Sequence, residues 1–100
     1  MAQQELIVIE TICTHYEIEV SFVDALSNLG LIEIRTIEQT RFIPEEKVAD
    51  LEKMIRIHQD LQVNPEGIDV IFNLLRKVDS LQNELADTKS RLRRYKLENQ

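Results

Sequence analysis

Hydrophobic residues along the chain fall into short blocks with two different periods. Leu6, Ile7, Val8 and Ile9 form a continuous apolar run, as in a short buried strand or the entry to a helix. Ile9, Ile12, Cys13 and Tyr16 follow at i, i+3, i+4 and i+7, which is one face of a short helix. Phe22, Val23, Leu26 and Leu29 repeat that spacing, with Ser21 as N-cap or first-turn residue and Gly30 as the stop. Two such helices, about four residues apart and closed by glycine, make a helix-turn-helix. Ile32, Ile34 and Ile37 then alternate with Glu33, Arg35 and Glu38, the period of a half-buried strand. Gln39-Thr40 is the predicted turn and Arg41-Phe42-Ile43 the returning strand, so the pair forms a two-stranded wing. Pro44 suits the first position of a third helix, with Glu45 and Glu46 at its positive end. Its apolar stripe is Val48, Leu51, Met54, Ile55, His58 and Leu61, and Glu52 and Arg56 make an i, i+4 pair.

The next boundary is Asn64-Pro65-Glu66, which reads as N-cap, first helical residue and acidic first turn. Gly67 inside that turn costs about 1 kcal/mol relative to Ala and so marks close backbone packing. From Ile71 onward a heptad fits, with Ile71, Val78, Leu85 and Leu92 at a and Leu74, Leu81, Thr88 and Tyr95 at d. A helix from Pro65 to Leu97 is about 50 Å long, longer than the ~30 Å of a domain built from sixty residues. It therefore overhangs, and its stripe needs a cover. The simplest cover is the same helix of a second copy, with Val78, Leu81, Leu85, Leu92 and Tyr95 as the dimerisation residues. Because a parallel pair would set Arg91 against Lys96, an antiparallel pair or a partner protein is equally open. The expected fold is mainly α: a winged helix-turn-helix over residues 1–62 and a long C-terminal helix over 63–100, forming one structural domain.

Composition narrows the chemistry. The chain carries a formal charge of −6, unevenly placed. Residues 1–70 hold fourteen acids and five bases, a balance of −9, and residues 71–100 hold seven bases and four acids, or +3. No Lys or Arg occurs in residues 1–34. Duplex DNA is bound by neutralising phosphates with basic side chains, so nucleic acid is a poor partner for this surface. The basic run Lys89, Arg91, Arg93, Arg94 and Lys96 is explained by the negative end of the helix dipole and by pairing of Asp87 with Arg91. One cysteine excludes an internal disulfide and suits a cytoplasmic protein, and no apolar run reaches the roughly 18 residues that span a bilayer. Cys13, His15 and His58 lack any paired metal-ligand spacing, so no metal or other cofactor is expected. No glycine-rich phosphate loop and no nucleophile elbow is present, and the expected protein is not an enzyme.

Four stretches carry a resemblance. Ile9-Glu10-Thr11-Ile12-Cys13, Leu29-Gly30-Leu31-Ile32 and Arg41-Phe42-Ile43-Pro44-Glu45-Glu46 resemble the opening of the MerR-type winged helix-turn-helix family. Asn64-Pro65-Glu66-Gly67-Ile68-Asp69-Val70, followed by Leu74-Leu75, is similar to the ending of that superfamily's chaperone-modulator branch, the CbpM proteins. The departures from DNA-binding members are informative. Where those regulators carry an Arg and two aromatics in the second helix, ungapped counting places Asp24, Ala25 and Leu26. Their tight-turn Gly corresponds to Glu17, and Arg41 alone matches a wing base.

The resemblance implies a non-enzymatic modulator that binds the J-domain of a DnaJ-like co-chaperone of the curved-DNA-binding type. J-domains present a basic second helix to an acidic surface of the DnaK-type chaperone, and an acidic competitor would displace that chaperone. Two groups of carboxylates are candidate contacts: Glu17, Glu19 and Asp24 around the first turn, and Glu45, Glu46 and Asp50 at the start of the third helix. Glu19 equally suits a helix cap, and Glu45 and Glu46 equally suit the helix dipole. Phe42 on the wing is the exposed aromatic anchor, unless it packs against the third helix. The alternatives are a small MerR-like transcription regulator that binds DNA as a dimer, and a coiled-coil module that merely assembles something else.

Overall fold

The structure is a computed structural model and describes residues 5–99. Its elements are β1 (Leu6–Val8), α1 (Ile9–Tyr16), α2 (Val20–Asn28), β2 (Arg35–Ile37), β3 (Thr40–Pro44), one 3-10 turn (Glu45–Lys47), α3 (Val48–Leu61) and α4 (Pro65–Glu98). The fold is mainly α, with the expected helix-turn-helix, wing and long last helix. Two compact units divide the chain, Met1–Asp69 and Val70–Gln100.

In the first unit the apolar stripes of the three short helices meet. Ile9, Val23, Leu26, Ile43, Leu51, Ile55 and Ile68 are fully enclosed. The wing gains a strand. Instead of two strands there are three, in the order β1-β3-β2, all antiparallel. Leu6 faces Pro44, Ile7 faces Ile43 and Val8 faces Phe42. The opening run Leu6–Ile9 had two readings because a short apolar run has no period of its own. Here the free edge of β3 accepts it as a strand for three residues, and Ile9 begins α1.

Four local expectations change. Pro44 does not start the third helix: it ends β3, and a 3-10 turn separates it from α3, which starts at Val48. Proline is acceptable at a strand end, where its missing N–H leaves no central ladder bond unmade. The hairpin turn sits at Glu38 and Gln39, both in the left-handed region, with Thr40 already in β3. The strand before it shrinks to Arg35–Ile37, and Ile32 is buried without belonging to it. Leu61, placed on the apolar stripe of α3, is 69% exposed because the helix ends at once in a left-handed Gln62.

The start of α4 follows its predicted cap. The Gly67 N–H donates to Asn64 Oδ1 at 2.8 Å, and the Ile68 N–H donates to the Asn64 carbonyl at 3.0 Å. A Cβ on Gly67 would stand 2.6 Å from Val63 Cγ1 and 3.1 Å from Asn64 Oδ1. Ala normally improves a helix by about 1 kcal/mol over Gly. At this position Gly67→Ala is expected to destabilise instead, by about 1–2 kcal/mol, since Val63 is branched at Cβ and can yield only by changing χ1. Chemical denaturation of the pair of proteins would read the sign directly.

In the second unit the heptad stripe lies open. Val78, Leu81, Leu85, Leu92 and Tyr95 are between 49% and 64% exposed. Arg91 pairs with Asp87 at 2.6 Å, as expected from their spacing.

Candidate functional site

The two short helices end in the same way. At the end of α2, Gly30 takes φ 77°, its N–H donates to the Ser27 carbonyl and the Leu31 N–H donates to the Leu26 carbonyl. At the end of α1, Glu17 takes φ 54°, its N–H donates to the Thr14 carbonyl and the Ile18 N–H donates to the Cys13 carbonyl. Both are paired-bond caps that need one left-handed residue. The second has a glutamate in that place, which sets a carboxylate at the tight turn between the helices.

Glu17 and Glu19 come together there, on the rim of a depression they share with Phe22 and His58. Glu19 is the N-cap residue of α2 by backbone position, but its side chain makes no cap bond; it accepts from the Ser21 hydroxyl at 3.2 Å. Beneath the turn, α1 is fastened to α3 by two bonds. Gln59 Nε2 donates to the Tyr16 carbonyl at 2.7 Å, and the Tyr16 hydroxyl donates to the Glu52 carboxylate. The latter bond pushes the phenol up from its ordinary value, with burial adding to the rise.

Asp24 stands apart from that pair, further along α2. Its Oδ1 lies 2.5 Å from Arg41 Nη1, and Glu10 Oε1 lies 3.8 Å from Arg41 Nη2. Arg41, on the wing, is therefore held between two carboxylates. The Arg41–Asp24 bond ties the wing to α2, and Arg41–Glu10 ties it to α1. The same cluster acts on Cys13: burial first, then Glu10, push the thiol up, and the nearby Arg41 offsets only part of this. A buried thiol of raised pKa is a poor nucleophile.

The remaining candidates are scattered. Glu45, placed at the start of the third helix in the sequence reading, lies in the 3-10 turn beside Glu5, whose carbonyl accepts the Glu45 N–H at 2.9 Å. The neighbouring Glu5 side chain, and to a lesser degree burial, hold the Glu45 carboxyl above the ordinary carboxylate value. Glu46 is in the same turn, and Asp50 is in the first turn of α3. Phe42 is not the exposed anchor it was expected to be. It is half-buried in the central strand, between Val8 and Arg35.

The Glu45 geometry fixes a pH dependence. A carboxyl raised in the folded state binds protons the unfolded chain has already lost, so the pair's contribution to stability falls as pH rises through the folded value. At neutral pH only repulsion is left. Glu45→Gln is expected to raise the thermal midpoint slightly at pH 7 and to give no gain at pH 4, as calorimetry at the two pH values would show.

Sequence reasoning missed Glu10 as a partner of Arg41, the Glu5–Glu45 contact and the Tyr16–Glu52 bond. The only available signal was that Arg41 is the sole base between Arg35 and Lys47 in a strongly acidic region. Among the described residues no three His, Cys, Asp or Glu side chains gather as a metal site.

A family model described as MerR HTH family regulatory protein matches residues 7–90. The chain is 28% identical over 91 residues to the chaperone modulatory protein CbpM of Pseudomonas entomophila (strain L48), with 85% of each chain covered. No solved structure matches it.

Proposed function

The chain belongs to the MerR helix-turn-helix family of regulatory proteins, and from that premise we propose that it is a non-enzymatic chaperone modulator working through an acidic helix-turn-helix unit. Its partner is the J-domain of a DnaJ-like co-chaperone of the curved-DNA-binding type. By occupying the basic second helix of that domain, it keeps the DnaK-type chaperone away. The observation that carries the reading is the ion-pair cluster of Arg41 with Asp24 and Glu10. A duplex-reading winged helix keeps its wing base open to phosphate, whereas this base is spent on two carboxylates of its own unit. The balance of −9 over residues 1–70 adds to the support, because it speeds encounter with a basic helix and repels nucleic acid. So does the name borne by the relative, a chaperone modulatory protein.

Two further features belong to the same reading. The open stripe of Val78, Leu81, Leu85, Leu92 and Tyr95 pairs two copies through α4. The protein acts in the cytoplasm, where its co-chaperone works; no helix among the described residues is long and apolar enough to cross a membrane.

Calorimetric titration with a J-domain from the same organism, at low and high salt, tests the proposal, with random-sequence DNA as the parallel titrant. Binding to the J-domain that weakens with salt, and none to DNA, is the expected result. Binding to DNA with a steep salt slope would overturn it in favour of a transcription regulator.

A further inference from the structure

Where the turn of the helix-turn-helix meets α3, the surface sinks into a depression of about 250 Å³. It is lined by Glu17, Ile18, Glu19, Phe22, His58 and Gln59. Pockets for free small molecules run from about 300 to 1,000 Å³, so this one has room for a single side chain. Its aromatic surface is the half-buried His58 ring, which is backed by Phe22, itself only 7% exposed. The Phe22 and His58 rings stack with centroids 4.2 Å apart and planes 26° from parallel. The imidazole is fixed from behind, its Nδ1–H donating to the Val63 carbonyl at 2.8 Å. With the proton of the neutral ring committed at Nδ1, Nε2 is left as a hydrogen-bond acceptor. Two exposed carboxylates stand on the rim, and neither Lys nor Arg lines the site. Glu17 is held there by the left-handed cap of α1 and Glu19 by the entry to α2.

We propose that this depression is the receptacle for one arginine side chain of a basic helical protein partner. Resting on the function proposed above, the inference assigns that arginine to the J-domain. An arginine fits the lining better than a lysine. Its guanidinium is planar and stacks against aromatic faces, and its N–H groups fork toward several acceptors at once. Two carboxylates and a ring nitrogen are several acceptors. An ammonium group has no plane to stack and is more strongly hydrated. The aliphatic stem of the side chain packs along Ile18 while the head reaches the rim.

Two titrations test this and separate it from the reading on which it rests. In the first, nuclear magnetic resonance follows the amide signals during addition of N-acetyl-arginine amide, and then of N-acetyl-lysine amide. Saturable shifts at residues 17–22 and 58–59 are expected, larger with the arginine probe and lost in Glu17→Gln/Glu19→Gln. Shifts spread over every acidic stretch, or unchanged in that variant, would overturn the receptacle. In the second, the J-domain is titrated into the wild type, into Glu17→Gln/Glu19→Gln and into Glu38→Gln/Glu84→Gln, which removes the same charge elsewhere. The first variant should lose affinity by about tenfold or more, the control by less than about twofold. J-domain binding untouched by Glu17→Gln/Glu19→Gln sinks the receptacle and leaves the function standing. Site-confined arginine binding in a protein that ignores the J-domain does the reverse, keeping the receptacle for another basic partner.

Discussion

Ile68→Ala is expected to cost the first unit about 2–4 kcal/mol, the usual range for emptying a fully enclosed branched site. Ile68 has no exposed surface and is the buried residue of α4. It sits one turn past the Asn64 cap, in the part of the helix that belongs to the first unit. A unit of this size has only a few kcal/mol of net stability, so the loss should lower its melting midpoint by at least about 10 °C. Leu81→Ala is the contrasting experiment. Leu81 is 62% exposed, and at low protein concentration its truncation should change the midpoint by less than the equivalent of about 0.5 kcal/mol. Circular dichroism melts of the three proteins decide the matter. Equal losses in both variants would mean that the distal helix is part of the same folding core.

Asp24→Lys is the charge change with the largest expected effect on partner choice. It removes the close partner of Arg41 and sets a cation beside it, leaving Glu10 at 3.8 Å as the base's remaining anion. The balance over residues 1–70 moves from −9 to −7. J-domain affinity should fall at least about tenfold, with a shallower salt dependence, because like charges then face each other across the contact. Random-sequence DNA should still not bind, since two or three bases cannot offset that excess of acids. Fluorescence anisotropy with a labelled duplex and calorimetry with the J-domain would give both values. Unchanged J-domain affinity would move the contact toward Glu45, Glu46 and Asp50, and measurable DNA binding would restore the operator-reading alternative.

What could be read in the chain was whatever is set by neighbours in sequence. Gly30 marked the end of α2 because glycine takes the left-handed cap conformation at least cost, and Asn64-Pro65 marked the start of α4 because cap and first helical residue are adjacent. The Asp87–Arg91 pair and the open heptad stripe followed from helical spacing alone. Features that depend on distant residues were not legible. The third strand of the wing needs Leu6 to find Pro44, and the Arg41 cluster joins three elements. Leu61 kept the period of α3 but lost its burial because the stripe outlasted the helix. The depression was invisible for the same reason. His58 looked like a half-buried core histidine, and only the fold places Phe22 against its ring and Glu17 and Glu19 at the edge.

The pairing of β1 with β3 also governs how the chain is made. On the ribosome Leu6–Ile9 emerges before β3, and that partner strand follows only after the entire helix-turn-helix has been synthesised. The β2–β3 hairpin closes locally and quickly, whereas β1 must wait for a long loop to shut. Until then the four aliphatic side chains of Leu6–Ile9 lack their partner strand, which makes this stretch open to off-pathway association during synthesis.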